Sequence, residues 1–293
     1  MSTDRPSIGF AGAGQLGSAM ITRLLADGFK VGAWNRSPAA LEPLVALGAK
    51  AVETPAELAR THDCLMTCVT DSTAVREIVF GIDGLAAAGH SGQLYIDTST
   101  IDATETREMS ETLRRQSGMH WVDAPISGGA AAALTGSMTI MAGGADEDFE
   151  AARPIWNALA GKCTLMGPSG AGQSTKMINQ VLVLGGFALL AEAAALAMNA
   201  GIDAARIPGA LAGGRADSRL LQEGFPRMID PGGPALGKNS VNVKDLELVH
   251  DLARDSGTPM PMLAVVTELN RKLIRMGLGD ECSTTYIKVL TDE

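Results

Sequence analysis

Up to about residue 165, short apolar runs alternate with amphipathic stretches, and this alternation limits the possible folds more than any other feature of the chain. The runs fall at 8–11, 30–34, 64–69, 94–97, 121–124 and 138–142. Each is too short for a helix and suits a buried strand. Strands separated by helical stretches pair in parallel, because the chain must cross a sheet face to return. The alternation therefore predicts a parallel sheet with helices on both faces. Local punctuation agrees. Thr54, Pro55 and Glu57 read as an N-cap, a first-turn proline and a capping-box glutamate. Ser37-Pro38 reads as the same kind of start.

The pattern changes near Gly167. After Gly167-Pro168-Ser169-Gly170-Ala171-Gly172 comes a stretch without proline, about 173–200, dense in Ala, Leu, Val and Met. It reads as one long helix, apolar on most faces and hence buried in a domain or subunit core. Further helix-like segments follow, separated by Gly/Pro stretches such as Asp230-Pro231-Gly232-Gly233-Pro234. These features place an α/β domain over 1–165 and an all-helical domain over 166–293. No repeat of solenoid period is visible.

Several function classes are disfavoured. The chain has 293 residues, 46% hydrophobic and 19% charged, which fits a folded two-domain protein and not a disordered one. Its net charge is −9 and it has no basic run, so nucleic acid is not expected as a partner. The most apolar stretch, 181–198, is interrupted by Gly185, Gly186 and Glu192, so no membrane span is expected. The stretch 1–7 is short and polar, without a signal-peptide core. Cys64, Cys68, Cys163 and Cys282 read as free thiols, Cys64 and Cys68 within a strand, which suits a reducing cytoplasm.

Gly12-Ala13-Gly14-Gln15-Leu16-Gly17 follows the first strand and opens the first helix. In this setting G-x-G-x-x-G reads as a dinucleotide loop of a Rossmann domain. Gly12 permits the turn, Gly14 lets a pyrophosphate approach, and Gly17 lets helix and strand close up. The free N–H groups of the helix N-terminus face the phosphates. The second strand chooses the dinucleotide. NAD sites place Asp or Glu there for the ribose hydroxyl, whereas this chain has Asn35-Arg36-Ser37. Arg36 suits a 2′-phosphate. NADP(H) is therefore the expected cofactor, with NAD(H) still possible; the alternative is a solvated surface arginine.

Two further segments carry chemistry. Asp123-Ala124-Pro125-Ile126-Ser127-Gly128-Gly129 ends a strand in a glycine turn. The Ser127 hydroxyl and the N–H groups of Gly128 and Gly129 form a cradle for a carboxylate, or else a purely structural turn. Gly170-Ala171-Gly172-Gln173-Ser174-Thr175-Lys176 is not a phosphate loop, because its lysine does not directly follow the last glycine. Lys176, Asn179 and Gln180 share one face of the long apolar helix at i, i+3 and i+4. A lone lysine there more often runs out to solvent; three polar residues together argue for a site.

In order and spacing, the 12–17 loop, the 123–129 segment, the 170–180 segment and Val243-Lys244-Asp245-Leu246 resemble the β-hydroxyacid dehydrogenase family. That family includes 3-hydroxyisobutyrate dehydrogenase, tartronate semialdehyde reductase, L-threonate dehydrogenase and, more distantly, 6-phosphogluconate dehydrogenase. The resemblance extends over nearly the whole chain and implies a Rossmann domain followed by a helical substrate and dimerisation domain. It implies that Lys176 is the catalytic acid/base and that Ser127, Gly128 and Gly129 hold the substrate carboxylate. Val69, Thr70 and Thr100 would line the nicotinamide, with Lys244 near it. Asn179 and Gln180 would orient the lysine or a substrate hydroxyl. Gln180 stands where 3-hydroxyisobutyrate dehydrogenases carry Asn, which makes the segment more similar to tartronate semialdehyde reductases. The implied activity is hydride transfer between NADP(H) and a small 3-hydroxy acid by a homodimer or homotetramer, without a metal. Two readings rival it. An imine reductase of the same superfamily would usually replace the lysine by Asp or Tyr, and a non-catalytic NADP-binding reader would not need the Lys176–Gln180 face.

Overall fold

The computed structural model describes residues 5–230 and 237–291. The chain divides into two compact units, 1–176 and 177–293. The first unit contains β1 (Ile8–Ala11), α1 (Gln15–Ala26), β2 (Val31–Trp34), α2 (Glu42–Ala46), β3 (Lys50–Ala51), α3 (Pro55–Thr61), β4 (Cys64–Thr67), α4 (Ser72–Phe80), β5 (Leu94–Asp97), α5 (Ala103–Ser117) and β6 (His120–Asp123). It continues through β7 (Ile126–Ser127), α6 (Gly129–Thr135), β8 (Met138–Ala142), α7 (Asp146–Ala151), α8 (Arg153–Leu159) and β9 (Ala160–Leu165). The division between the units falls inside α9 (Ala171–Asn199). The second unit then adds α10 (Ile207–Leu211), α11 (Arg219–Ile229), α12 (Asn239–Asp255), α13 (Pro261–Arg275) and α14 (Ile287–Leu290).

The main sheet is parallel throughout, in the order β3-β2-β1-β4-β5-β6. This is the doubly wound order of a Rossmann domain, with its crevice where β1 and β4 lead away in opposite directions. The inner strands are apolar on both faces because helices cover both. Alternate residues face opposite ways: Ile8, Phe10, Met66, Ile96 and Val122 enter one core with α1, while Leu65, Tyr95 and Trp121 enter the other with α3 and α5.

Two expectations change here. The 138–142 run is a strand, but it belongs to a second sheet, β7-β8-β9. β8 pairs antiparallel with β7 and parallel with β9, and one Asp123–Gly143 bridge ties β6 to the segment after β8. The reason lies after β6: only Ala124 and Pro125 precede β7, so no helical crossover exists to return the chain in parallel. The sixth strand of the main sheet is the exposed two-residue β3, which no apolar run announces. The helix starts also differ. Thr54 accepts the Glu57 N–H as expected, while the Glu57 carboxylate accepts the Glu53 N–H at 3.2 Å. Ser37 makes no capping bond and precedes only a 3₁₀ turn.

Among the described residues, the second unit contains helices and no strand. Gly185, Gly186 and Glu192, expected to interrupt the apolar stretch, lie within continuous α9, which by length and composition alone could cross a bilayer. One side of α9, through Leu184, Phe187, Ala188, Ala191 and Ala195, is core with Phe225, Leu246 and Leu273. Glycines permit this packing: a Cβ on Gly186 would lie 2.5 Å from Leu220, and one on Gly224 2.8 Å from Phe187. Residues 231–234 of the Gly/Pro stretch and residues 1–4 of the N-terminal stretch lie outside the described residues.

Candidate active site

The three glycines of the 12–17 loop are constrained in three different ways. Gly12 has φ +105°, and a Cβ there would collide with the Cys68 carbonyl oxygen. A Cβ on Gly17 would run into the Gly12 carbonyl oxygen. A Cβ on Gly14 would meet no atom within 4 Å. Gly12 and Gly17 are thus required by the protein itself, whereas the space over Gly14 is open to a ligand. Gly14 starts α1 in extended backbone, and no side chain caps the helix. Gln15, Leu16 and Gly17 form its first turn, which contains no acidic residue. Open space, uncapped N–H groups and the positive end of the helix dipole fit a dinucleotide pyrophosphate.

Asn35 Oδ1 accepts the Ala13 N–H at 2.9 Å, and Asn35 Nδ2 donates to the Ser37 carbonyl at 2.9 Å. The amide therefore braces the glycine loop from the end of β2, a role not read in the sequence. Arg36 is exposed and has no ion pair among the described residues. Ser37 is exposed beside it.

The carboxyl ends of β4 and β5 form a buried polar lattice. The Thr67 hydroxyl donates to Asp97 Oδ1 at 2.7 Å and lies 2.6 Å from the Tyr95 hydroxyl. The Ser99 N–H also donates to Asp97 Oδ1, at 3.0 Å, while the Ser99 hydroxyl accepts the Val69 N–H at 3.0 Å. This lattice fixes the backbone of Val69 and the approach to Thr100. Thr70 is exposed and donates to Asp71 at 2.9 Å. The Cys64 thiol, pushed up to about 12 by burial, stays protonated and inert.

Ser127 lies in β7, half-buried, and Gly128 and Gly129 follow with φ +119° and +66°. A Cβ on Gly129 would meet nothing within 4 Å. Two successive left-handed glycines after a hydroxyl leave room and N–H groups for an anion.

Asp123, quoted in the sequence only as the end of a strand, is fully buried. Its Oδ1 accepts the Gly170 N–H at 2.8 Å and its Oδ2 the Gln173 N–H at 3.0 Å. It thereby caps α9 from another element. Burial pushes its carboxyl up to about 6; bonds from the Gly170 and Gln173 N–H groups oppose the rise and the Asp97 charge adds to it. Gly143 and Gly172 are glycine because a Cβ on either would stand within 2.8 Å of the Asp123 carboxylate. Lys176, one turn into α9, is only 7% exposed, so it does not run out to solvent.

In the second unit, Asn179 Nδ2 donates to Gln180 Oε1 at 2.9 Å, and Gln180 Nε2 donates to Asp245 Oδ2 at 2.5 Å. Asp245 Oδ1 stands 3.1 Å from Lys244 Nζ. Asp245, to which the sequence reading gave no role of its own, thus joins Gln180 to Lys244. Asp123 carried a signal, an acid closing a buried apolar strand, whereas Asp245 lies among the other charged residues of α12 and carried none.

The chain is similar to known proteins over both of its units. Residues 7–167 match the NAD binding domain of 6-phosphogluconate dehydrogenase. Residues 170–290 match the NAD-binding model of NADP-dependent 3-hydroxyisobutyrate dehydrogenase. An L-threonate dehydrogenase of Cupriavidus necator is 32% identical, over 97% of this chain and 95% of that protein. A 2-hydroxy-3-oxopropionate reductase of Escherichia coli is 34% identical, over 89% of each. The solved Mycobacterium tuberculosis 3-hydroxyisobutyrate dehydrogenase with L-serine superposes with a TM-score of 0.88 at 26% identity, covering 97% of this chain and 99% of that one. The chain belongs to the β-hydroxyacid dehydrogenase family of the 6-phosphogluconate dehydrogenase superfamily and is an NAD(P)-dependent dehydrogenase acting on CH–OH groups.

The glycine geometry generates a paired test. Gly14→Ala should keep the wild-type melting temperature but weaken NADPH binding in a fluorescence titration, because its methyl occupies ligand space. Gly17→Ala should lower both melting temperature and binding, because backbone must move. Wild-type NADPH affinity in Gly14→Ala would show that the space over Gly14 is not used.

Proposed function

We propose that the protein interconverts a small 3-hydroxy acid and its 3-oxo acid with NADP(H), with Lys176 as proton donor and acceptor. The observation that carries this reading is a lysine held almost out of solvent, one turn into a helix whose end is capped by a buried carboxylate. When bound, the nicotinamide supplies or takes up the hydride. In reduction the Lys176 ammonium gives one proton to the carbonyl oxygen as the carbon gains hydride, leaving a neutral amine that solvent reprotonates. In oxidation the amine takes the hydroxyl proton. The Ser127 hydroxyl and the Gly128 and Gly129 N–H groups hold the substrate carboxylate. Val69, Thr70 and Thr100 line the nicotinamide side, and Lys244 stands near it. Asn179 and Gln180 orient the lysine or a substrate hydroxyl. The relatives' own substrates, L-threonate and 2-hydroxy-3-oxopropionate, support a short, hydroxylated carboxylate.

The cofactor preference follows from Asn35 and Arg36. Asn35 replaces the carboxylate that would bind a 2′-hydroxyl and repel a 2′-phosphate, and it is engaged by the glycine loop. Arg36 offers exposed donors for the phosphate. NADP(H) is the better cofactor and NAD(H) the poorer one.

We also propose a homodimer or homotetramer built on α9. Leu182, Leu189 and Leu196 are 71%, 60% and 70% exposed and recur every seven residues. A heptad-spaced apolar stripe suits another helix. Glu192 is exposed on the same side, and a carboxylate in mid-helix disfavours lipid as the cover.

Three outcomes test these readings. Lys176→Ala should lower kcat by about 10² to 10⁴-fold, with NADPH affinity nearly unchanged, on the best substrate from a panel of 3-hydroxy acids and aldonates. Retention of more than about a tenth of kcat where chemistry is rate-limiting would sink the lysine's role and favour the imine-reductase reading. Arg36→Asp should cost NADP(H) about 1.5–3 kcal/mol of binding, roughly ten- to a hundredfold, and shift preference to NAD(H); a wild-type enzyme already preferring NAD(H) contradicts the Arg36 reading. In light scattering at micromolar concentration the protein should exceed the mass of one chain, and a monomer rejects the α9 interface.

A further inference from the structure

Gln173 is fully buried, and its side-chain amide spends both ends on one loop. Oε1 accepts the Ile101 N–H at 3.2 Å, and Nε2 donates to the Ser99 carbonyl at 2.9 Å. The two bonds bracket Thr100. The backbone N–H of the same residue donates to Asp123. Ser99 is in turn tied to Asp97 and to Val69. A chain of buried bonds thus runs from the ends of β4, β5 and β6 into the first turn of α9. Lys176 follows Gln173 by three residues, one helical turn.

An apolar side chain in the place of Gln173 would bury as well without the desolvation cost of an amide. It would hold the helix against the loop, but its contacts carry no direction, so the helix end could slide or turn. Hydrogen bonds to a donor and an acceptor two residues apart do have direction. They fix both the rotation and the axial position of the turn that leads to Lys176.

We infer that Gln173, seconded by Asp123, is a positioning residue that sets Lys176 in register with the 99–101 loop for proton transfer. This rests on the reading of Lys176 as the acid/base. Misplacement of a catalytic group by about 1 Å costs on the order of 10²-fold in rate.

The test is Gln173→Met, which keeps the volume and removes both amide bonds. Its control is Gln93→Met. Gln93 is equally buried, and its amide bonds the carbonyls of Ala59 and His62 on α3 and just beyond it. Both variants should melt lower than wild type. With NADPH and 2-hydroxy-3-oxopropionate, only Gln173→Met should lose kcat per folded enzyme, about 10²-fold, with NADPH affinity unchanged and a larger primary isotope effect from 4-deuterated cofactor. Amide hydrogen exchange should accelerate at 170–176 and 99–101 in Gln173→Met and not in Gln93→Met. Wild-type kcat in folded Gln173→Met, or an equal loss in Gln93→Met, overturns the inference. If Gln173→Met does not fold, Asp123→Asn is held to the same outcomes. Lys176→Ala is measured alongside. If it stays active, the acid/base reading fails; if it is dead while Gln173→Met is not, only the positioning role fails.

Discussion

The buried carboxylate of Asp123 is the interaction on which the arrangement around Lys176 depends. A charge removed from water is costly unless fully hydrogen-bonded. Here two backbone N–H groups from the start of α9 meet the two oxygens, and the positive end of a 29-residue helix faces them. The compensation imposes its own requirements: backbone must approach the carboxylate from two sides, so positions 143 and 172 have no room for a Cβ. A strand end and a helix start are thereby tied by one side chain. Its carboxyl still lies near 6, so burial outweighs the hydrogen bonds, and the ionised form is less favoured in the fold than in water. The arrangement carries that penalty as the condition for fixing the helix.

The dinucleotide loop solves a related problem with opposite means. Phosphate charge has to be met by backbone, so side chains must be kept away from the helix end. Glycine does this at Gly14, while Gly12 and Gly17 are needed only because the turn and the helix pack so tightly around it. Asn35 then holds the Ala13 N–H from across the sheet. A carboxylate at position 35 could accept the same N–H, but it would add negative charge beside the glycine loop; the amide makes the brace without that charge.

What was legible in the sequence was what local pattern encodes. β1, β5 and β8 have the expected bounds because buried strands are short continuous apolar runs. β3 and β7 have two residues each, and β9 mixes exposed and half-buried positions, so none carries such a run. The glycine loop was legible because its roles concern its own backbone. The functions of Asp123, Gln173 and Asn35 were not, since each is defined by a partner 22 to 74 residues away. Helix α9 was legible as one helix despite Gly185 and Gly186, but the reason for a glycine there was not. In the fold, Gly186 is where Leu220 approaches, and tertiary packing outweighs the roughly 1 kcal/mol propensity loss of a glycine.

Helix α9 combines two demands that usually exclude each other. Its apolar composition gives the second unit a core, with Leu184, Phe187 and Ala191 buried, and leaves a leucine stripe on the other side. Yet Gln173, Lys176 and Gln180 are also buried, on a helix whose hydrophobicity would tolerate none of them unpartnered. Each buried amide is therefore satisfied from outside the helix, Gln173 by the 99–101 backbone and Gln180 by Asp245. These bonds add little net stability, since each replaces a bond to water. Their contribution is uniqueness: an apolar helix can rotate against an apolar core at small cost, but a rotated α9 would leave an amide and a carboxylate buried and unmatched. The polar residues at the start of the helix thus allow its first turn one rotation against the 99–101 loop, and with that rotation Lys176 is kept out of bulk water.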